Sequence, residues 1–153
     1  MLIAALLVNA DNISFHNLAT SKKRVIENLS QMLATNTTAT TAEKIFQVLL
    51  DRERLGSTGL GKGVAIPHAR VPGLPNTLAA MLTLSKPIDF DAADGEPIDI
   101  VFGLLVPEDD NVNHLQHLSR LVTLFRDVEI CRKIREASSG EAIFELLLSI
   151  DDD

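Results

Sequence analysis

The residues best suited to chemistry lie within residues 52–70, where a glycine-rich run leads through Pro67 into one histidine, His68. Histidine is a neutral nucleophile near pH 7. Glycines let the backbone take positive φ and turn its N–H groups inward, which makes a nest suited to an anion. The four glycines are Gly56, Gly59, Gly61 and Gly63. The run predicts phosphoryl handling or general base chemistry at His68, and a glycine-rich surface turn is the plainer alternative.

Residues 56–63 nearly fit the P-loop pattern GxxxxGK[ST] of ATP-binding proteins, but they fail it in three ways. Gly63 stands where a Ser or Thr would bind Mg²⁺. The run follows a helical pattern rather than a strand, and residues 64–67 do not open a helix. The sequence therefore predicts no ATP site and no cofactor.

The helical pattern that precedes the glycines brings an arginine towards His68. Its apolar stripe includes Ile45, Leu49 and Leu55, and Arg52 falls on the same stripe by the i, i+3, i+4 rule. A buried guanidinium without an anion is costly. We therefore expect Arg52 to point into a site that receives an anion or holds an acid. The alternative is an Arg52 side chain that snorkels over the helix end, while Arg54 is out of phase and predicted to be exposed.

A second histidine begins the inward face of a later helix. That face contains His114, Leu118, Leu121 and Phe125, with Leu115 and Val122 beside it. His114 and His117, three residues apart, could join His68 in a zinc site and give a histidine-based metal hydrolase. The chain has no HExxH motif and one cysteine only, and no acid follows at i+4. We therefore predict no metal.

The run LGSTG-x-G-x-G-x-AIPH, preceded by Arg52, resembles the phosphorylation-site motif of the bacterial phosphotransferase system IIA component of the fructose/mannitol type. The resemblance extends from about Ile13 over nearly the whole chain and is closest to the nitrogen-regulatory type. It implies that His68 accepts a phosphoryl group from an HPr-type (NPr-like) phosphocarrier protein. His114, in N-H-L-Q, matches the second histidine of the family site, whereas His117 matches no site residue.

Phosphoryl transfer to His68 requires donors for the charge on the phosphoryl oxygens. By the resemblance, Arg52 and His114 are two of them. The N–H groups of Gly59, Gly61 and Gly63 and the hydroxyls of Ser57 and Thr58 are further candidates for binding the phosphate. The two hydroxyls are explained about as well by hydrogen bonds within their own turn.

Three functions remain open. The resemblance favours a regulatory IIA protein with a phosphohistidine intermediate, whose phosphorylation state is read by protein partners not yet identified. A IIA component that passes phosphate to a fructose/mannitol-type sugar permease would use the same chemistry. The third is a metal hydrolase that would use the histidines.

Composition and charge indicate which classes of partner and which cellular compartment to expect. The net charge of −7 argues against binding to DNA or RNA, which requires clustered positive charge. Residues 1–10 are apolar, but they carry no basic start and are too short to span a bilayer, so we predict no membrane insertion and leave their role open. The single cysteine, Cys131, excludes an internal disulfide and suits a structural role in the cytoplasm.

Hydrophobic periodicity predicts a single α/β domain over residues 1–153. Residues 13–18 alternate like an edge strand, residues 78–84 form a strand that ends at residues 85–87, and residues 98–106 form a central strand buried on both faces. Helices are predicted to start at Ser21, at a Thr40 capping box and at residues 109–113, and two more cover residues 127–137 and 141–150. We expect a sandwich with a mixed β-sheet flanked by helices on both faces, and a frayed tail at residues 151–153.

Overall fold

A mixed six-stranded β-sheet lies between two layers of helices in the computed structural model, which describes residues 3–109 and 111–151. The strands are β1 (Ile13–Asn17), β2 (Gly59–Gly61), β3 (Val64–Ala65), β4 (His68–Val71), β5 (Leu78–Ile88) and β6 (Ile98–Pro107). The helices are α1 (Ile3–Leu7), α2 (Lys22–Ala34), α3 (Ala42–Leu55), α4 (Asn111–Arg126), α5 (Val128–Glu136) and α6 (Gly140–Asp151). This architecture confirms the predicted α/β sandwich.

The sheet is built around β6. Its strand order is β1-β5-β6-β3-β2, and β4 also pairs with β6. Strand β5 runs antiparallel to β6, whereas β3 and β4 both run parallel to it, one after the other. Strand β1 pairs with β5 and lies at the edge of the sheet. The predicted edge strand and the predicted central strand are therefore both confirmed.

Side chains of β6 alternate between two cores, as expected of a strand covered on both faces. Phe102 and Leu104 pack into the core with α1, α4, α5 and α6, while Val101 and Leu105 pack into the core with α2 and α3. Gly103 faces α2, where a Cβ atom would lie 2.7 Å from Leu29 Cγ. The absence of a side chain at this position lets α2 pack closely against the sheet.

The apolar start of the chain contributes to the first core. Ile3, Ala4 and Leu7 of α1 are at most 1% exposed, and α1 packs against α6 and β5. Cys131 is also buried, and its Sγ donates to Phe125 O at 3.2 Å. Burial raises the pKa of the Cys131 thiol, which fits the predicted structural role. No helix within the described residues is long and apolar enough to cross a membrane.

Element boundaries agree with the sequence in part. Ser21 caps α2, as predicted, by accepting from Arg24 N at 3.2 Å. The cap of α3 is Thr41 and not Thr40, because Thr41 Oγ1 accepts from Lys44 N. Asp110, one predicted cap of α4, lies outside the described residues, as do residues 152 and 153 of the tail.

Strand β5 does not end at residues 85–87, where Pro87 was predicted to stop it. The strand continues to Ile88, and its pairing with β6 shifts register between Thr83 and Ile88. Residues 85–87 are exposed. Because no ladder pair with β6 is formed within this shift, the missing N–H of Pro87 costs the sheet no hydrogen bond.

Candidate functional site

His68 lies at a break between two strands. Strand β3 pairs with β6 at Ile100 and Val101, and β4 pairs with β6 from Leu104 onwards. The chain between β3 and β4 contains Pro67. Proline has no N–H to continue the ladder, although Pro67 O still accepts from Leu104 N at 2.9 Å. His68 is the first residue after this break and is half-buried. Proline therefore places the histidine at a defined position on the sheet.

One hydrogen bond determines which nitrogen of His68 can react. Nδ1 lies 2.8 Å from Ile66 O. A carbonyl oxygen can only accept, so Nδ1 carries the proton and the lone pair is on Nε2. Burial lowers the pKa of His68 and the Arg52 guanidinium lowers it further, while the bond to Ile66 and the Glu53 carboxylate act in the opposite direction. The net direction is downward, so His68 is a neutral nucleophile at pH 7.

The two histidines predicted to share the site are brought together. The ring centroids of His68 and His114 are 5.7 Å apart, and the rings are tilted by 43°. His114 lies on α4 and is 9% exposed; His117, one turn later, is 8% exposed. Leu115 was predicted beside the inward face, but it is 65% exposed, so this side of α4 faces solvent.

Arg52 reaches the neighbourhood of His68 from the last turn of α3. Its charge affects the pKa of His68, and its Nη1 donates to Gly56 O at 2.8 Å. The side chain is half-buried, so it does not take the core-facing position predicted from the stripe. That position belongs to Glu53, and Leu55 is 86% exposed. The buried row of α3 follows i+4 steps, namely Ile45, Leu49 and Glu53.

The glycine run forms a hairpin instead of the expected nest. Strand β2 pairs antiparallel with β3, and the turn between them has positive φ at Lys62 and Gly63. Lys62 N is already bonded to the Asp94 carboxylate at 3.0 Å. Gly63 O accepts from Ile100 N, whereas His68 pairs with Leu104. Gly63 and His68 are therefore separated by about 13 Å along β6. The structure does not bring Gly61 and Gly63 to His68.

Gly59 and the two hydroxyl residues have structural partners. A Cβ atom on Gly59 would lie 2.8 Å from Ala92 Cβ, so the glycine permits close packing. Ser57 Oγ donates to Phe90 O at 3.0 Å. Thr58 donates both its N–H and its hydroxyl to the Glu53 carboxylate. These bonds favour the alternative in which Ser57 and Thr58 satisfy their own loop.

Glu53 is the residue of this region that sequence reasoning missed. Its side chain is 1% exposed, and Lys22 Nζ lies 3.0 Å from Oε2. The spacing along α3 could have indicated this burial, because i+4 steps from Ile45 lead through Leu49 to Glu53. An i+3 step from Leu49 leads to Arg52 instead, and the sequence alone does not choose between the two steps. Within the described part of the chain, no three His, Cys, Asp or Glu side chains group as metal ligands.

The chain is similar over most of its length to known proteins. Residues 6–150 match the family described as "Phosphoenolpyruvate-dependent sugar phosphotransferase system, EIIA 2", a match that starts earlier than the expected Ile13. The chain is 39% identical to a nitrogen regulatory protein of Pseudomonas aeruginosa over 130 residues, which is 85% of this chain and 84% of that one. It is 41% identical to one of Bradyrhizobium diazoefficiens over 127 residues, 83% and 82% of the two chains. The crystal structure of nitrogen regulatory protein IIA-Ntr from Neisseria meningitidis superimposes with a TM-score of 0.90 at 36% identity, covering 95% of this chain and 98% of that chain.

Proposed function

This chain belongs to the EIIA 2 family of the phosphoenolpyruvate-dependent sugar phosphotransferase system, and from that premise we propose that His68 Nε2 accepts a phosphoryl group from an HPr-type (NPr-like) phosphocarrier. The observation that carries the proposal is the hydrogen bond from His68 Nδ1 to Ile66 O. It leaves the lone pair on Nε2 of an imidazole that burial keeps neutral.

The transfer step balances without a cofactor. The bond between phosphorus and the donor histidine breaks as the bond from phosphorus to His68 Nε2 forms. The donor imidazole leaves neutral because its other nitrogen carries a proton. The proton on His68 Nδ1 stays in place, so His68 becomes a phosphorylated imidazolium whose positive charge is stabilised by the Ile66 carbonyl.

Arg52 and His114 are proposed to stabilise the phosphoryl oxygens. A guanidinium has five N–H donors, and the bond from Arg52 Nη1 to Gly56 O uses one of them. His114, with its ring 5.7 Å from that of His68, lies at the right range to contact a phosphoryl group on Nε2. Fixed donors of this kind act mainly in the transition state, when the group carries charge on its equatorial oxygens.

Exposed apolar side chains support a protein as the donor. Leu55, Val112 and Leu115 are 65–86% exposed, and they lie on the helix segments that carry Arg52 and His114. Large exposed apolar patches can mark protein interaction sites. Phosphorylation adds up to about two negative charges to a protein of net charge −7. A partner that docks over His68 would therefore distinguish the two forms, which is a regulatory function.

The acceptor is tested by labelling. Phosphoenolpyruvate, the general phosphotransferase enzymes and the HPr-type carrier are incubated with the protein, and mass spectrometry locates the label. We expect acid-labile label on His68, none in His68→Ala, and the same yield when EDTA is added after the carrier has been phosphorylated. His16→Asn is the matched control, because His16 is exposed on β1 and Asn tolerates its positive φ of 50°. Label on His114, or label that survives in His68→Ala, contradicts the proposal.

The regulatory function is tested with wild type, His68→Ala and His68→Asp. We expect a protein partner that binds the His68→Ala and His68→Asp variants differently, because the aspartate partly imitates the added charge. A growth defect on one sugar that wild type restores and His68→Ala does not, with no such partner, favours the permease alternative instead.

A further inference from the structure

Glu53 carries a carboxylate that is enclosed at the end of α3. The carboxylate accepts from Thr58 N at 3.3 and 3.2 Å and from the Thr58 hydroxyl, and its Oε2 lies 3.0 Å from Lys22 Nζ. A buried carboxylate is stable only when it is both paired and hydrogen-bonded. These contacts therefore hold Glu53 and Thr58 in one arrangement, although 5 residues separate them in the chain.

Thr58 is in turn connected to His68 through one residue. Thr58 O accepts from Ile66 N at 3.1 Å, and Ile66 O accepts from His68 Nδ1 at 2.8 Å. Ile66 is 2% exposed and Thr58 is 7% exposed. Water therefore has little access to replace these hydrogen bonds, and a lost bond would leave a buried polar group unsatisfied. A displacement of Thr58 would be transmitted to the carbonyl that holds the imidazole.

Lys22 connects this group to the rest of the fold. Its Nζ also donates to Phe90 O at 3.2 Å and lies 4.7 Å from the centre of the Phe90 ring. The same Phe90 carbonyl accepts from Ser57 Oγ at 3.0 Å. Asp91 is more distant, with its Oδ2 at 3.8 Å and a side chain that is 79% exposed. Lys22 thus pairs with the Glu53 carboxylate, whose charge acts on the pKa of His68.

We propose that Glu53, with Lys22 as its counter-ion, is a positioning residue for His68 and acts through Thr58 and Ile66 to fix the tautomer and orientation of the imidazole. This inference rests on the proposed role of His68 as phosphoryl acceptor. Glu53 does not touch the phosphoryl group. Its two effects are to anchor the loop by accepting both Thr58 donors and to keep its own charge paired.

The first variant is Glu53→Gln, which preserves shape. In a glutamine an N–H₂ donor replaces one carboxylate oxygen, so the contacts that Oε2 makes with Thr58 N and Lys22 Nζ would become donor against donor, and the uncharged amide cannot form the ion pair. We expect the single-turnover transfer rate from the phosphorylated carrier to fall by about tenfold or more, with the carrier concentration for half-maximal rate changed by less than about twofold. In ¹⁵N NMR, the Nδ1 and Nε2 signals of His68 should move towards a mixture of tautomers, and the pKa of His68 should fall because a carboxylate that raises it is gone.

The second variant, Lys22→Met, should change the pKa of His68 in the opposite direction. It leaves the buried carboxylate without its cation, so the pKa of His68 should rise and transfer should slow. The double variant Lys22→Met with Glu53→Gln removes both charges and should recover part of the rate lost in Lys22→Met. A second substitution that restores activity shows that Lys22 and Glu53 act as one pair, and the tautomer and pKa of His68 distinguish a positioning role from one in stability alone. Glu27→Gln is the matched control and should behave like wild type, because the Glu27 side chain is 38% exposed and pairs with Arg24 one turn away on α2.

Thr58 variants test the connection without changing a charge. Thr58→Ser keeps the hydroxyl donor and should keep the transfer rate and the His68 signals, whereas Thr58→Val keeps the shape and should lose both. This pair decides the question if Glu53→Gln does not fold. A wild-type rate in folded Thr58→Val would then overturn the inference.

Two results separate this inference from the proposed function. If wild type takes no label on His68, the proposed acceptor is wrong and the inference fails with it. If wild type is labelled on His68 and folded Glu53→Gln transfers at the wild-type rate, only the inference is overturned. Slower transfer with unchanged His68 tautomer and pKa also overturns it, because Glu53 would then act on stability alone.

Discussion

Replacing Arg52 by lysine removes the planar donor fork and keeps the positive charge. In the structure the half-buried Arg52 donates from Nη1 to Gly56 O at 2.8 Å, and its remaining N–H groups are the donors proposed for the phosphoryl oxygens. A lysine ammonium at this position has all its N–H donors on one nitrogen. It therefore cannot bond to the Gly56 carbonyl and also form two parallel hydrogen bonds to phosphoryl oxygens, as a guanidinium can. Arg52→Lys should therefore leave the fold intact and slow transfer.

The size of the effect follows from the bonds that are lost. One charge-assisted hydrogen bond contributes about 1.5–3 kcal/mol, and about 1.4 kcal/mol corresponds to tenfold in rate, so we expect transfer to slow by roughly 10- to 150-fold. The assay is rapid-quench transfer of radiolabelled phosphate from the phosphorylated carrier, with thermal unfolding measured on the same samples. The thermal midpoint should stay within about 2 °C of wild type, because a half-buried surface substitution contributes little to stability.

Arg54→Lys is the matched control for this prediction. The Arg54 side chain is 67% exposed, and its Nη1 lies 3.6 Å from the Asp51 carboxylate, so the contact is a surface ion pair of small effect. Its transfer rate should stay within about twofold of wild type. Equal rates for Arg52→Lys and wild type, or equal slowing in Arg54→Lys, would refute the proposed role of Arg52.

Two further predictions concern protonation and packing. Because the pKa of His68 is lowered and transfer requires its neutral form, activity should be full above pH 6.5 and be lost as the pH falls through the lower pKa of the folded protein; an NMR titration that gives His68 a pKa above 6.5 would contradict this. Gly103→Ala should destabilise the protein by about 1–3 kcal/mol, because the added Cβ overlaps the Leu29 side chain. In urea unfolding, Gly103→Ala combined with Leu29→Ala should cost less than the sum of the single changes, and additivity within about 0.5 kcal/mol would refute the proposed overlap.

Local chemistry explains which features could be predicted from the sequence. Apolar spacing of 3.6 and 2 residues indicated the helices and the edge strand, and the largely apolar run at residues 98–106 indicated the central strand β6. His68 could be singled out as the candidate reactive residue because the glycine run and Pro67 restrict the backbone conformation next to it. Helix phase singled out Arg52 and His114, and the family resemblance implied their roles; in the structure the His114 ring lies beside that of His68, and the Arg52 charge acts on the pKa of His68.

Contacts between distant residues decided the rest. The i+3 and i+4 steps along α3 are equally allowed in a sequence, and packing of α3 against the sheet determined that Glu53 is buried instead of Arg52. The glycine run forms a hairpin rather than a nest because β3 finds a parallel partner in β6, about 35 residues later in the chain. The Nδ1 proton of His68 depends on the carbonyl of Ile66, which is held by Thr58 and, through it, by Glu53 and Lys22. No local pattern specifies such a chain of contacts, because each bond forms only after the elements that carry its partners have packed together.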